Sequence, residues 1–191
     1  MMPTTPIRWG GASAMVGGAL LITGWLINIT HVTLLGEVLI LLSHAAMSLG
    51  ILAVYARQAG LSGILGLTGA ALAVIGSSLI VPGGAFWSSL VPQAAPAIEE
   101  AAESGVGLAV SITGALAFVL GYVLFGLACL RAGVLPRAVG IFLIVGAALL
   151  FVGAGVLRTQ PLSAVGAFLI GSSLIWSGAL TWTRPSPVNR T

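Results

Sequence analysis

"GAALLFVG", residues 146–153, places two glycines seven positions apart in an uncharged, mostly apolar stretch. Related octets occur at residues 17–24 (GGALLITG) and 69–76 (GAALAVIG). Seven steps of 100° overshoot two helical turns by about 20°, so both glycines of an octet lie on nearly the same helix face. In lipid, such small faces let helix backbones approach closely and gain dispersion contacts. The octets therefore predict transmembrane helices that pack through glycine.

The composition places most of this chain in a membrane. Of its 191 residues, 58% are hydrophobic and only 6% are charged, whereas a soluble domain carries roughly 25% charged residues. All seven positive residues are Arg, scattered singly between apolar runs, which is unlike the clustered basic face that nucleic-acid binding needs. We therefore expect membrane lipids and a hydrophobic small molecule as partners, and no nucleic acid.

Six segments are apolar over the length of about 20 residues that a helix needs to cross a hydrocarbon core. They lie near residues 12–30, 38–56, 61–81, 106–130, 138–157 and 162–182. They predict one all-α transmembrane domain over residues 1–191, a six-helix bundle with an external loop at residues 82–105. Because the octets recur in the first, third and fifth helices, the pattern fits three tandem helical hairpins. Independent convergence on the same packing pattern, in a chain rich in Gly, Ala and Leu, explains the recurrence of the octets equally well.

The arginines predict the orientation, because Lys and Arg accumulate in short cytoplasmic loops. With the N terminus inside, six of the seven arginines are cytoplasmic, and only Arg158 is external. All four acids then lie outside, namely Glu37, Glu99, Glu100 and Glu103. An even number of spans places both termini in the cytoplasm.

The segment NITHVTLLGEVLILLSH, residues 28–44, concentrates polar side chains in this apolar chain. On the second predicted helix, Glu37, Ser48 and Tyr55 lie within about 40° of His44 around the helix axis. One face of that helix therefore carries a broken polar line, which Leu41 and Ile51 interrupt.

Two polar residues of the first predicted helix lie on its glycine face. Asn28 and His31 fall there if the helix continues to residue 31. A connection this short joins antiparallel neighbours. We therefore expect Asn28, His31, Glu37 and His44 to converge near the external end of the first hairpin, as a ligand-binding site together with Ser48 and Tyr55.

These residues suit more than one chemistry. Two histidines and a carboxylate are transition-metal ligands, but their spacing fits no known motif and further ligands are lacking, so we expect no metal and no cofactor. They also suit acid and base catalysis, with His44 and Glu37 as the candidate catalytic residues. The structural alternative is a neutral His44 hydrogen-bonded to a serine or a backbone carbonyl, with His31 and Glu37 solvated.

The role of the external loop has two possible interpretations from the sequence. Pro82, Pro92 and Pro96 punctuate it, and the residues after Pro96, AIEEAAES, predict a short helix with proline at its first position. A long connection in a small bundle can fold over the external mouth as a lid. Alternatively, its glutamates form a solvated face.

One longer stretch carries a family resemblance. RAGVLPRAVGIFLIVGAALLFVG, residues 131–153, contains an Arg-bearing tight turn between the fourth and fifth predicted helices, and residues 56–76 echo it. With its six-span layout, the chain resembles the uncharacterised bacterial six-helix membrane proteins grouped as domain of unknown function 4386. The resemblance implies a multi-pass protein of the bacterial cytoplasmic (inner) membrane and supplies no catalytic residues.

Three functions stay open from the sequence. The first is a small membrane protein that binds or passes an apolar or weakly polar molecule, or serves as an accessory subunit. The second is a membrane enzyme that uses acid and base chemistry on a lipid-like substrate such as a terpenoid, polyketide or quinone. The third is a proton-coupled transporter, for which the polar line is the argument, because ionisable groups within a span are costly and usually functional.

Overall fold

A computed structural model describes residues 4–80 and 84–183 of the chain. Within these ranges it is helical and contains no strand, which confirms the predicted all-α class. A 3-10 turn lies at Pro92–Ala94, and a π-helical turn at Val152–Val156 continues the sixth helix. The α-helices are α1 (Thr4–Ile27), α2 (Leu34–Ile80), α3 (Gly84–Leu90), α4 (Ala95–Ala102), α5 (Gly105–Ala132), α6 (Arg137–Phe151) and α7 (Gln160–Thr183).

Five helices in the described part of the chain are long and apolar enough to cross a membrane. They are α1, α2, α5, α6 with its π-helical turn, and α7. This is the build of a multi-pass membrane protein, as the composition predicts. The short helices α3 and α4 lie in the segment that the sequence assigns to the external loop. Pro96 is the second residue of α4, which begins one residue earlier than predicted.

The longest helix, α2, folds back on itself. Gly63 interrupts its helical backbone with φ 55° and ψ −150°, a conformation open almost only to glycine. A straight helix would separate Glu37 from Ile80 by about 65 Å at 1.5 Å per residue, yet both residues line one cavity. We therefore divide α2 into two antiparallel halves, α2a (residues 34–62) and α2b (residues 64–80).

The glycine octets lie where helix backbones touch. A β-carbon on Gly17 would lie 2.7 Å from the backbone nitrogen of Met47 on α2a, and one on Gly69 would lie 2.5 Å from that of Phe125 on α5. Real β-carbons essentially never approach another heavy atom within 3.0 Å. On α6, Gly146 meets the backbone of α7 in the same way. Each octet thus packs against the next long helix in the chain.

The first and last helices close the bundle. Gly171 and Gly178 on α7 pack against the backbone of Gly18 and Gly11 on α1. Large side chains from all the long helices fill the interior of this ring, including Leu21, Met47, Phe118, Tyr122, Leu143, Ile170 and Leu174. The close backbone contacts therefore surround a conventional apolar core.

Charged side chains gather at opposite ends of the bundle. At one end, Arg158 pairs with Glu103 across 3.4 Å and shares a cavity with Glu37. At the other, the Arg8 guanidinium lies 4.9 Å from the ring centre of Trp182, which also contacts Trp9 edge-on. Which end faces the cytoplasm stays a prediction.

The fold-back at Gly63 generates a stability prediction. Gly63→Ala should lower the free energy of unfolding by about 1–3 kcal/mol, because alanine must adopt a backbone conformation that its β-carbon disfavours. Crowding does not contribute, since no atom lies within 4 Å of the added carbon. Denaturation of the purified protein in detergent measures the change.

Gly155→Ala is the matched control. A β-carbon there makes only an ordinary contact of 3.7 Å with Phe151, at a φ that L-residues adopt. Equal loss of stability in both variants would contradict the proposed role of Gly63.

Candidate functional site

A buried asparagine organises the turn between α1 and α2. The Oδ1 atom of Asn28 accepts hydrogen bonds from the backbone nitrogen and the hydroxyl of Thr33, both at 2.9 Å. Its Nδ2 atom donates to Oε1 of Glu37 at 2.8 Å. The Thr33 hydroxyl accepts from the backbone nitrogen of Gly36 at 3.0 Å and so caps the first turn of α2. Asn28 therefore fixes both the start of α2 and the Glu37 carboxylate.

His31 lies apart from this network. The first helix ends at Ile27, so residue 31 does not extend its glycine face. The His31 ring is exposed, and its Nδ1 atom shares a hydrogen bond with the Thr30 hydroxyl at 2.9 Å. The helix stops because the polar side chains of Asn28 and Thr33 bond the local backbone, which competes with helix propagation.

A cavity of about 350 Å³ lies at this end of the bundle, within the size range of small-molecule sites. It is bounded by the end of α1, both ends of α2, the start of α3, the π-helical turn and the start of α7. Its polar lining is Glu37, His44, Arg158, Thr159, Gln160 and Ser163. Its remaining lining is Trp25, Val32, Ile40, Leu41, Ile80, Phe86, Gly153 and Ala154.

His44 offers one ring nitrogen to this cavity. Its side chain is buried, and Nδ1 lies 2.8 Å from the carbonyl oxygen of Ile40. A carbonyl only accepts, so Nδ1 carries the hydrogen and Nε2 holds a lone pair in the neutral ring. Among the described residues, Nε2 has no hydrogen-bond partner. The bond to Ile40 is the one that the structural alternative predicts, while Nε2 is left for a ligand.

The polar line predicted along α2 does not continue into the cavity beyond His44. Ser48 donates its hydroxyl hydrogen to the carbonyl of His44 at 2.8 Å. Tyr55 is half-buried against the apolar core. Neither residue lines the cavity. The structure thus brings together Asn28, Glu37 and His44, and leaves His31, Ser48 and Tyr55 outside the site.

The turn between α6 and α7 supplies the side of the site that sequence reasoning missed. Arg158 has φ 50°, which is uncommon for a residue with a side chain. The π-helical turn precedes it, with a bond of 2.8 Å from the backbone nitrogen of Leu157 to the carbonyl of Val152. Such turns are frequent at functional sites. The available signal was the isolated position of Arg158 as the single predicted external arginine.

The external segment contributes to the site at two points. Phe86 of α3 lines the cavity, and its ring packs edge-on against Trp87. The ion pair between Glu103 and Arg158 connects the end of α4 with the turn before α7. These contacts place the segment beside the cavity, and its action as a lid stays a prediction.

Neither metal-site geometry nor similarity assigns a function. In residues 4–80 and 84–183, no three His, Cys, Asp or Glu side chains lie together as metal ligands would. No protein-family model, curated protein or solved structure matches the chain. The function is therefore argued from the cavity.

The Asn28 network predicts a difference between two polar residues of the same turn. Asn28→Ala should destabilise the protein by about 1–3 kcal/mol, because it removes a buried amide and leaves the half-buried polar groups of Thr33 without their partner. His31→Ala should change stability by less than about 0.5 kcal/mol, as expected for an exposed side chain. Denaturation curves recorded side by side in one detergent compare them. A loss in His31→Ala as large as that in Asn28→Ala would refute this assignment.

Proposed function

We propose that this protein is a six-span protein of the bacterial inner membrane that binds a small, weakly polar molecule in the cavity described above. The cavity itself is the observation that carries the proposal. Small-molecule sites combine a mostly apolar lining with a few placed polar groups. Here Trp25, Leu41, Ile80 and Phe86 supply apolar surface, and His44 supplies an unused acceptor.

The proposed span count follows from the fold-back of α2. The halves α2a and α2b measure about 43 Å and 26 Å at 1.5 Å per residue, compared with a hydrocarbon core about 30 Å thick. Counting them as two crossings gives six spans. The distribution of arginines supports cytoplasmic termini and a cavity that opens on the outer side. Membership of the six-helix family named above is part of the same proposal.

A second candidate is an acid and base enzyme acting on a lipid-like substrate. It is favoured by one observation, namely that Glu37 and His44 line the same cavity. Seven residues separate them along α2a, or about 10 Å along its axis. They would therefore act on different atoms of a substrate, not on one proton. Proton-coupled transport has less support, because Ser48 and Tyr55 lie away from the cavity.

Filling the cavity tests the binding proposal. We expect bromo-octanol to quench the fluorescence of Trp25 saturably in a variant whose other tryptophans are replaced by Phe. Ala154→Phe should weaken this binding about tenfold or more, because Ala154 lines the cavity and the added ring occupies ligand space. Fluorescence titration of the purified protein measures the affinity.

Ala148→Phe, on the exposed face of the same helix, is the matched control and should leave the affinity unchanged. Quenching that rises linearly without saturation reflects partitioning into detergent. That result, or equal affinity in Ala154→Phe and Ala148→Phe, would reject the proposal.

A further inference from the structure

We propose that the ligand is a lipophilic amine that carries a second hydrogen-bond donor. Its ammonium group would pair with Glu37, and the second donor, a hydroxyl or N–H group, would reach His44. This inference rests on the proposed binding function and names the ligand class. The inference is based on which hydrogen-bond donors and acceptors of the cavity lining already have partners.

Three polar groups of the wall, two buried and one half-buried, offer lone pairs and no free hydrogens. Elsewhere in the lining, the half-buried Trp25 and Gln160 carry N–H donors. The Nδ1 atom of His44 donates its hydrogen to the carbonyl oxygen of Ile40. The hydroxyl of Ser163 donates its hydrogen to the carbonyl oxygen of Thr159 at 3.0 Å. The Glu37 carboxylate has only acceptor oxygens, one of which already receives the Asn28 amide. We call Glu37, His44 and Ser163 the acceptor wall.

An acceptor wall selects the polarity of its ligand. A carboxylate, ketone or phosphate places its own lone pairs against those of the acceptor wall and leaves these three groups unsatisfied. Such a ligand can bond only the N–H donors elsewhere in the lining. An ammonium group presents three donors and no acceptor. Hydrogen bonds between charged groups are also stronger than neutral ones. Hydrogen-bond complementarity to the acceptor wall therefore favours a ligand that brings its own hydrogen-bond donors.

The charges around the cavity agree with this selection. Glu37 is half-buried, whereas the Arg158 side chain is 78% exposed at the rim and lies 3.4 Å from Glu103. The charge of Arg158 is thus screened by solvent and offset by its partner. Trp25 and Phe86 add aromatic surface to the same lining, which attracts cations. A ligand buried in the cavity therefore lies closest to the negative charge of Glu37.

The separation of the two acceptors sets the length of the ligand. Glu37 and His44 lie about 10 Å apart along the axis of α2a. One ammonium group is too small to satisfy both. A ligand with donors at both ends of an apolar chain of that length satisfies each of them. The compound 8-amino-1-octanol has this form and is a suitable probe.

Competition with bromo-octanol for quenching of Trp25 tests the inference. We expect 8-amino-1-octanol to compete best, 1-octylamine next and octanoate least. Glu37→Gln should weaken both amines about tenfold or more, since it removes the charge yet keeps an oxygen for Asn28. His44→Phe should abolish the advantage of 8-amino-1-octanol over 1-octylamine. Affinity ratios between variants cancel the partitioning of each probe into detergent.

Two exposed glutamates outside the cavity lining provide the controls. Glu99→Gln and Glu100→Gln should leave amine binding within about threefold of the wild type, because solvent screens exposed charges. Octanoate that competes as well as 1-octylamine, or amine binding that survives Glu37→Gln, would overturn the inference while leaving the binding function intact. Failure of bromo-octanol itself to bind saturably would instead reject the binding function.

Discussion

Backbone contact at glycine faces is the constraint on which the rest of this structure depends. Lipid removes the hydrophobic drive for helices to associate, so close approach and dispersion must replace it. The octet glycines of α1, α2b and α6 meet that need, each facing the backbone of the next long helix. The contact also marks the edge of the site. A β-carbon on Gly153 would lie 2.6 Å from the backbone nitrogen of Ser163, and both residues line the cavity where α6 widens into its π-helical turn.

The site forms because two local devices bring distant chain segments to one end of the bundle. The backbone conformation of Gly63 turns α2 back, so that Ile80 returns to the level of Glu37. The amide of Asn28 then joins the turn before α2 to the Glu37 carboxylate. An apolar bundle thereby acquires a few fixed polar groups at one end, and this is the arrangement that we propose binds a molecule with an apolar body.

Sequence reasoning reached the parts of this fold that depend on local periodicity. Helix class and packing through the octets follow from spacing along the chain, and the proximity of Asn28 to Glu37 follows from a short connection. Helical spacing predicts that Tyr55 lies on the same side of α2 as His44, but an angle around a helix axis does not say which neighbour covers that face. The sequence does not predict Arg158 and Ser163 as site residues, because more than a hundred residues separate them from Glu37 and only the closure of the bundle brings them together.

The fold-back of α2 is the central claim, because the cavity exists only if both ends of that helix meet. Pulsed electron paramagnetic resonance between spin labels at Leu35 and Ser78, two exposed positions, measures it directly. Cys129 is the single native cysteine and is buried, so its replacement leaves only the introduced sites. We expect a label separation below about 30 Å, since adjacent helix axes lie 8–10 Å apart and the labels add length. A separation near 65 Å, the length of a straight helix over this interval, would contradict the account.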